Sequence, residues 1–312
     1  MRKVIVLAMA LLIPVVASGQ EGGRGRMGGA PAGPAPACPP SGYMPQAYYS
    51  LFGQNGGDGA TAYEIASPCI GKEVRDVAQS IGMGRNKLLG VKTVITTMFS
   101  VDGTMADAGG MAKLAKTDFH ISYVLPAMRM FLNGTKANGQ PLKEIRVFAD
   151  QYAWNETQEG RGATAAMNTL NDRMPLIKLT PYGAMWSVIE AEGHTKVSTV
   201  NGKMVLTGTS PYDGIEVAIT VEEQHLGVAG YSKEEPMYIP VAVTAKSNGH
   251  VYGATFADYR DNLEPNVWML FPTQIKWTLD GKPFADLKVT YFRSNPYVVF
   301  PIPDVVKQKS SN

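Results

Sequence analysis

Cysteine is scarce: Cys38 and Cys69 are the only two among 312 residues. Neither lies in a CxxC pair or beside a histidine, which argues against a redox or metal-thiolate role. Long apolar runs are missing as well. The longest, Val4 to Val16, falls short of the roughly 20 residues that a spanning helix needs, so no transmembrane segment is expected. The four histidines, His120, His194, His225 and His250, share no HxH, HExxH or H-x3-H spacing, and no GxSxG or SxxK motif occurs. No metal, cofactor or catalytic residue is expected, and hydrolase activity would need a site assembled wholly by the fold.

Excess charge of one sign is also absent. Setting aside Arg2 and Lys3 leaves 27 of the 29 basic residues against 27 acidic ones, and the basic residues form no cluster. Phosphate recognition needs a concentrated basic surface, so nucleic acid is not an expected partner.

The N-terminus has a definite pattern. Arg2 and Lys3, the apolar run, and the small residues Ala17-Ser18-Gly19 predict a secretory signal peptide over 1–19, with the mature chain beginning at Gln20. This implies a periplasmic or secreted protein. No Cys follows the cleavage point to accept a lipid. Residues 20–46 are Gly-rich and then Pro-rich and predict a linker, 47–304 a single β-rich domain, and 305–312 a tail. In an oxidising compartment Cys38 and Cys69 are expected to pair, and closing that loop would contribute roughly 3 to 4 kcal/mol. The run Gly53 to Gly59 reads as a loop.

Two hairpins near the C-terminus are the clearest local signal. Asn248-Gly249 suits a type I′ turn, which sets Ala245 opposite Tyr252, Val243 opposite Ala254 and Val241 opposite Phe256, all on one face. A plain Asp280-Gly281 turn would oppose Ile275 to Asp286. A bulge at Lys282 or Pro283 is therefore expected, placing Ile275, Trp277 and Leu279 on the face of Ala285, Leu287 and Val289.

Elsewhere, Val74, Val77, Ala78 and Ile81 predict a helix from Lys72 that ends at Gly82. Leu88 to Phe99 is β-rich. Phe119, Ile121, Tyr123 and Leu125 alternate, as do Met128, Met130 and Leu132, and Ile145, Val147 and Ala149. Residues 104–116 fit a short helix or a loop. Thr164 is placed as the cap of a helix carrying Met167, Leu170 and Met174 and stopped by Pro175. Thr180-Pro181 opens a second helix, with Tyr182, Met185, Val188 and Ile189 on one face. Asn201-Gly202 turns a further hairpin, and Ile215, Val217, Ile219 and Val221 alternate. Asp258, Asp261 and Glu264 are read as a solvated turn, and Trp154-Asn155-Glu156 as an exposed-looking loop whose Trp closes the rim of the barrel core. The expected fold is mainly β (α+β): nine to eleven antiparallel strands in a strongly bent sheet or half-barrel, with helices covering the concave face.

This element order, with Phe256-Ala-Asp-Tyr259, Phe271-Pro-Thr-Gln-Ile-Lys-Trp277, Asp280-Gly281-Lys282 and Asn295-Pro-Tyr-Val-Val-Phe-Pro-Ile-Pro303, resembles the outer-membrane lipoprotein carrier and lipoprotein-sorting (LolA/LolB-like) superfamily over roughly residues 72 to 303. The resemblance implies an open barrel whose concave face holds acyl chains, and it carries no catalytic residues. Six residues on predicted inward faces, Met128, Met130, Met167, Met174, Met185 and Trp186, are the candidate ligand lining, since thioethers adapt to apolar guests. The expected partner is an apolar small molecule or lipid, or a hydrophobic segment of another envelope protein. The alternative is a structural or interaction module with a fully packed core.

Overall fold

The computed structural model describes residues 70–83, 94–191, 193–226, 234–264 and 267–310. The expected signal peptide and linker, Cys38, Cys69, the glycine run at 53–59 and residues 88–93 of the stretch from Leu88 lie outside these residues.

One sheet of thirteen antiparallel strands dominates. A first meander comprises β1 (Thr96–Asp107), β2 (Gly110–Ser122), β3 (Ala127–Thr135), β4 (Pro141–Ala149), β5 (Tyr152–Glu156) and β6 (Thr164–Ala165). A second comprises β7 (Lys196–Val200), β8 (Lys203–Thr209), β9 (Glu216–Gln224), β10 (Met237–Ser247), β11 (His250–Glu264), β12 (Val267–Leu279) and β13 (Lys282–Ser294). The spatial order is β6-β5-β4-β3-β2-β1-β13-β12-β11-β10-β9-β8-β7. The first and last long strands therefore meet in the middle, where Phe99 pairs with Phe292 and Val101 with Val289. The strand count exceeds the expected range because the region read as a loop at Trp154 and a helix cap at Thr164 forms β5 and β6, and the 104–116 stretch is neither helix nor loop. It is the β1–β2 hairpin, with Met105, Ala112 and Leu114 buried.

The chain thus runs from the centre of the sheet to the β6 edge, crosses to the β7 edge, and meanders back. The crossing is helical. A 3-10 turn (Met167–Thr169), α2 (Leu170–Arg173), a 3-10 segment (Met174–Leu179) and α3 (Pro181–Glu190) follow one another, while α1 (Lys72–Ser80) precedes the sheet. At about 4.8 Å per strand, thirteen flat strands would hold their edges about 58 Å apart, a span that the helical pieces (about 40 Å) and the seven further residues of the link (about 23 Å) would cover only if laid out straight. Curling the sheet brings its edges within reach of the link and lays the helices in the concavity, which gives the expected half-barrel.

Both C-terminal hairpins keep their expected faces. Ala245 pairs with Tyr252 and Val243 with Ala254, and Asn248 and Gly249 have φ of 51° and 78°. The pairing begins at Ala242, however. Val241 is the extra residue where β10 shifts register against β9, so it does not oppose Phe256. In the second hairpin Ile275 pairs with Leu287 and Trp277 with Ala285, as a bulge requires. The extra residue is Phe284, one position beyond the expected pair, because Lys282 and Pro283 already oppose Leu279 and Thr278.

Several helical expectations change. α1 holds as read, with Val74, Val77, Ala78 and Ile81 buried and Gly82 at φ 98°. Thr164 lies in β6 and caps nothing. Pro175 does not stop the helical path: it sits in the first turn of a 3-10 segment, where its missing N–H is not needed. Thr180 does cap α3, accepting the Gly183 N–H at 3.1 Å. All ten residues of α3 are buried, so it packs on every side and not on one face. Its apolar composition all round permits this. Leu125, expected inside, is exposed in the β2–β3 turn.

Aromatic side chains with a polar tip fasten helices to sheet. Trp277 on β12 donates Nε1–H to the Leu179 carbonyl at 2.9 Å, and Trp186 on α3 donates to the Val94 carbonyl at 2.7 Å. The Tyr182 hydroxyl reaches the carbonyls of Leu270 (2.9 Å) and Ile81 (3.0 Å). Between them Phe271 stacks on Phe292 at 4.2 Å, and Phe99 on Phe119 at 4.8 Å. Each ring buries apolar area while satisfying a carbonyl that would otherwise be costly inside.

The convex face of the first meander is also covered. Ile145, Val147 and Ala149, expected to point inward, face outward with Ala127 and Trp154, and Phe300, Ile302 and Val306 of the C-terminal segment pack over them. Residues from 305, read as a tail, belong to α4 (Asp304–Ser310), whose Val306 is fully buried. Trp154 is not in a loop but buried in β5. Beneath this strap, Arg129 holds Glu156 with two hydrogen bonds at 3.1 and 3.2 Å, both side chains nearly inaccessible. Glu156 also accepts from Trp154 Nε1 (2.8 Å) and Gly160 N (2.9 Å), and Arg129 donates to the Val299 carbonyl at 3.2 Å. Removing one charge strands the other. Glu156→Gln is expected to cost about 3 to 5 kcal/mol in denaturant unfolding; an unchanged midpoint would mean that the pair does not anchor the strap.

Candidate functional site

The centre of the concavity is filled, so the site must be sought where the helical cover stops. Met128 and Met185 are fully buried and Trp186 nearly so, within the main core. Met174 is half-buried against that core. Met167 departs from its expected inward face: it packs in the convex-face cluster, near Trp154, because the 3-10 turn that carries it follows the edge strand β6. Met130 borders an open cavity. The structure thus brings Met128, Met130, Met174, Met185 and Trp186 to the same core and separates Met167 from them.

That cavity is a cleft of about 610 Å³ between the helical crossing and the strands beside it. Met105 of β1, Met130 of β3, Leu176 of the crossing, Tyr252 of β11, Leu279 of β12 and Phe284 of β13 give it an apolar wall. Phe284 is there because of the bulge. As the extra residue of its strand it leaves the ladder, and its ring lies 6.3 Å from and nearly parallel to Trp277, extending the core surface into the cleft.

The rest of the cleft lining includes polar residues: Asp107, Glu144, Arg146, Asn155, Asp172 and Arg173. Glu144 and Arg146 sit on the inner row of β4 with Leu142 and Phe148, since Met130 pairs with Arg146 and Met128 with Phe148. Arg146 Nη2 reaches Asp107 at 2.8 Å and Glu144 at 2.7 Å, and Lys136 adds a contact to Glu144 at 2.8 Å. The guanidinium hydrogen bond holds the Asp107 carboxyl below its usual range.

Arg173, the last residue of α2, is 6% exposed. It donates Nη1–H to the carbonyls of Val147 (2.9 Å) and Trp154 (2.7 Å), and Nη2–H to Asn155 Oδ1 (2.7 Å). Burial and the nearby Arg146 charge pull its pKa down to about 10. None of these charged residues was singled out from sequence. The available signal was that β4 carries apolar residues on both rows, which leaves its face undecided and allows Arg146 to point inward.

Other motifs resolve into structure. Asp258 and Asp261 are in strand β11, not a turn; Asp258 has φ 53° and its Oδ2 accepts from Gln274. Among the described residues no group of three or more His, Cys, Asp or Glu side chains could hold a metal ion, and no helix is long and apolar enough to cross a membrane.

The Asp107–Arg146 contact has a pH signature. With its folded pKa depressed, Asp107 contributes stability above the ordinary aspartate value of 3.8, and that contribution is lost as pH falls through the lower folded value. Thermal melts of Asp107→Asn should show a weaker loss of stability below pH 3.8 than the parent. Parallel curves would mean that the carboxylate is not held by Arg146.

No protein-family model matches this chain, and no curated protein matches it. Among solved structures, a LolA superfamily protein from Nitrosomonas europaea is similar, with 10% identity over 73% of this chain and 94% of that one, at a TM-score of 0.39. LprF from Mycobacterium bovis is similar with 8% identity over 76% of this chain and 99% of that one, at a TM-score of 0.29. At these scores neither likeness bears on the cleft, whose description stands on the chain's own geometry.

Proposed function

We propose that this chain is an exported, non-enzymatic binding protein of the bacterial envelope that holds a lipidic or otherwise apolar ligand in the cleft beside Met130. The observation that carries this reading is the cleft itself. Its volume of about 610 Å³ falls in the range of small-molecule sites, and it has an apolar wall facing a few fixed polar groups. Apolar area left against water forgoes about 25 cal/mol per Å² of burial, so a wall in which Leu279 and Phe284 are only partly buried favours an apolar guest. Met130, with a flexible thioether, suits guests of varied shape. The sequence resemblance to lipoprotein carriers agrees with this role, and the basic-apolar-small pattern of residues 1–19 agrees with export.

A second reading, an envelope interaction module, is favoured by one observation. β7 forms an edge of the sheet, all five of its residues are exposed, and Val197 and Val200 are 47% and 52% accessible. An unpaired edge offers backbone groups to a partner strand.

Native mass spectrometry of the exported chain, followed by denaturing extraction, separates the two. An apolar molecule released on unfolding is expected. Leu279→Asp, at a half-buried position of the cleft wall, should reduce its recovery at least about tenfold while leaving the far-UV spectrum unchanged, since a charge there stays hydrated at the expense of the apolar contact. A clean apo mass with a bound protein partner would favour the edge strand instead.

A further inference from the structure

Three cations are buried within the described residues, and comparing their partners separates one from the others. Arg129 is matched by Glu156 at 3.1 Å, and Lys178 by Asp213 at 3.0 Å with both side chains almost inaccessible. Arg173 has no carboxylate within ion-pair distance among the described residues; its three hydrogen bonds all go to neutral oxygens, those of Val147, Trp154 and Asn155. A buried charge without a counter-charge is expensive, and proteins ordinarily pair it. The unmatched one is also the only one of the three that lines the cleft.

Glu144 and Asp172 act on Arg173 through space, but no nearby carboxylate makes an ion pair with it among the described residues. Asp107 and Glu144 are engaged by Arg146 at 2.8 and 2.7 Å, and Glu144 also by Lys136. Asp172, next in sequence, is exposed, where water and salt screen it. A guanidinium has five N–H donors. Three are spent on holding Arg173 between the backbones of β4 and β5, so its plane is fixed before any ligand arrives and donors remain for one.

We propose that the ligand of this cleft is an anionic amphiphile: Arg173 receives its carboxylate or phosphate head while the apolar tail lies against Met130, Leu176 and Phe284. This rests on the binding role proposed above and narrows it to a charge class. The fixed orientation of Arg173 favours planar or tetrahedral oxyanions, which accept from two N–H groups at once. The head pays for desolvation by neutralising a cation that the fold leaves unmatched, and the tail fixes polarity, so that the head enters on the β4–β5 side and the chain points toward β12 and β13.

The test compares three amphiphiles of equal chain length on the delipidated full chain by calorimetry: palmitate, hexadecanol and hexadecyltrimethylammonium. Palmitate should bind at least about tenfold tighter than hexadecanol, a difference that falls as salt is raised and disappears in Arg173→Gln. Arg173→Lys keeps the charge but loses the fork and should retain part of the preference. Because Arg173 also ties two strands together, the wild-type comparison stands by itself if Arg173→Gln fails to fold. Equal affinity for palmitate and hexadecanol, or tighter binding of the ammonium, overturns the anionic head and leaves the apolar cleft standing. Failure of all three to bind overturns both.

Discussion

One connection constrains everything else: the chain leaves the sheet at β6 and must re-enter at β7, on the opposite edge of thirteen strands. Across a flat sheet this connection would have to lie straight from edge to edge, with no freedom to pack its helices. Curling shortens the path and at the same time creates a concavity, and the connection that demanded the curl fills it. Strand order, curvature and helical cover follow from this single crossing, with the centre closed by pairing the first long strand with the last.

The filling is held by a few directional contacts within a large apolar volume. Trp277, Trp186 and Tyr182 each bury a ring and reach a backbone carbonyl on a different segment, so the crossing cannot slide over the sheet without breaking them. Apolar burial sets most of the stability, but it is non-directional; these bonds fix which residues meet. Where the crossing begins, at the 3-10 turn (Met167–Thr169) and α2, the cover is thinner and its side chains are shared between core and solvent. The cleft lies there because Leu176 faces inward, Arg173 ties the strands, and the Phe284 bulge pushes a ring out of the ladder.

Buried charge marks both faces of the first meander. On the convex side Arg129 and Glu156 satisfy each other beneath the strap formed by Phe300, Ile302 and Val306. On the concave side Arg146 is balanced by two carboxylates while Arg173 rests on neutral acceptors. The same short strands therefore support one closed polar network and one that is open toward a cavity, which is the arrangement expected of a scaffold on one face and a recognition surface on the other.

Local chemistry was legible in the sequence. Asn248-Gly249 set the register of its hairpin, the apolar spacing around Trp277 required a bulge one residue from where it occurs, and Thr180-Pro181 opened α3, because turns, caps and alternation depend on neighbours a few residues away. The half-barrel class followed from the order of such elements. What tertiary structure alone decided was the facing of ambiguous strands and the company of charges. Ile145, Val147 and Ala149 looked like a core row, and only the return of residues 295–310 over the convex face made outward burial possible, turning Glu144 and Arg146 inward. Likewise Arg173 reads in sequence as an ordinary helix residue. Its burial, and its lack of a carboxylate partner among the described residues, exist only because the crossing lays it against β4 and β5, and contacts between residues so far apart in the chain leave no periodic trace.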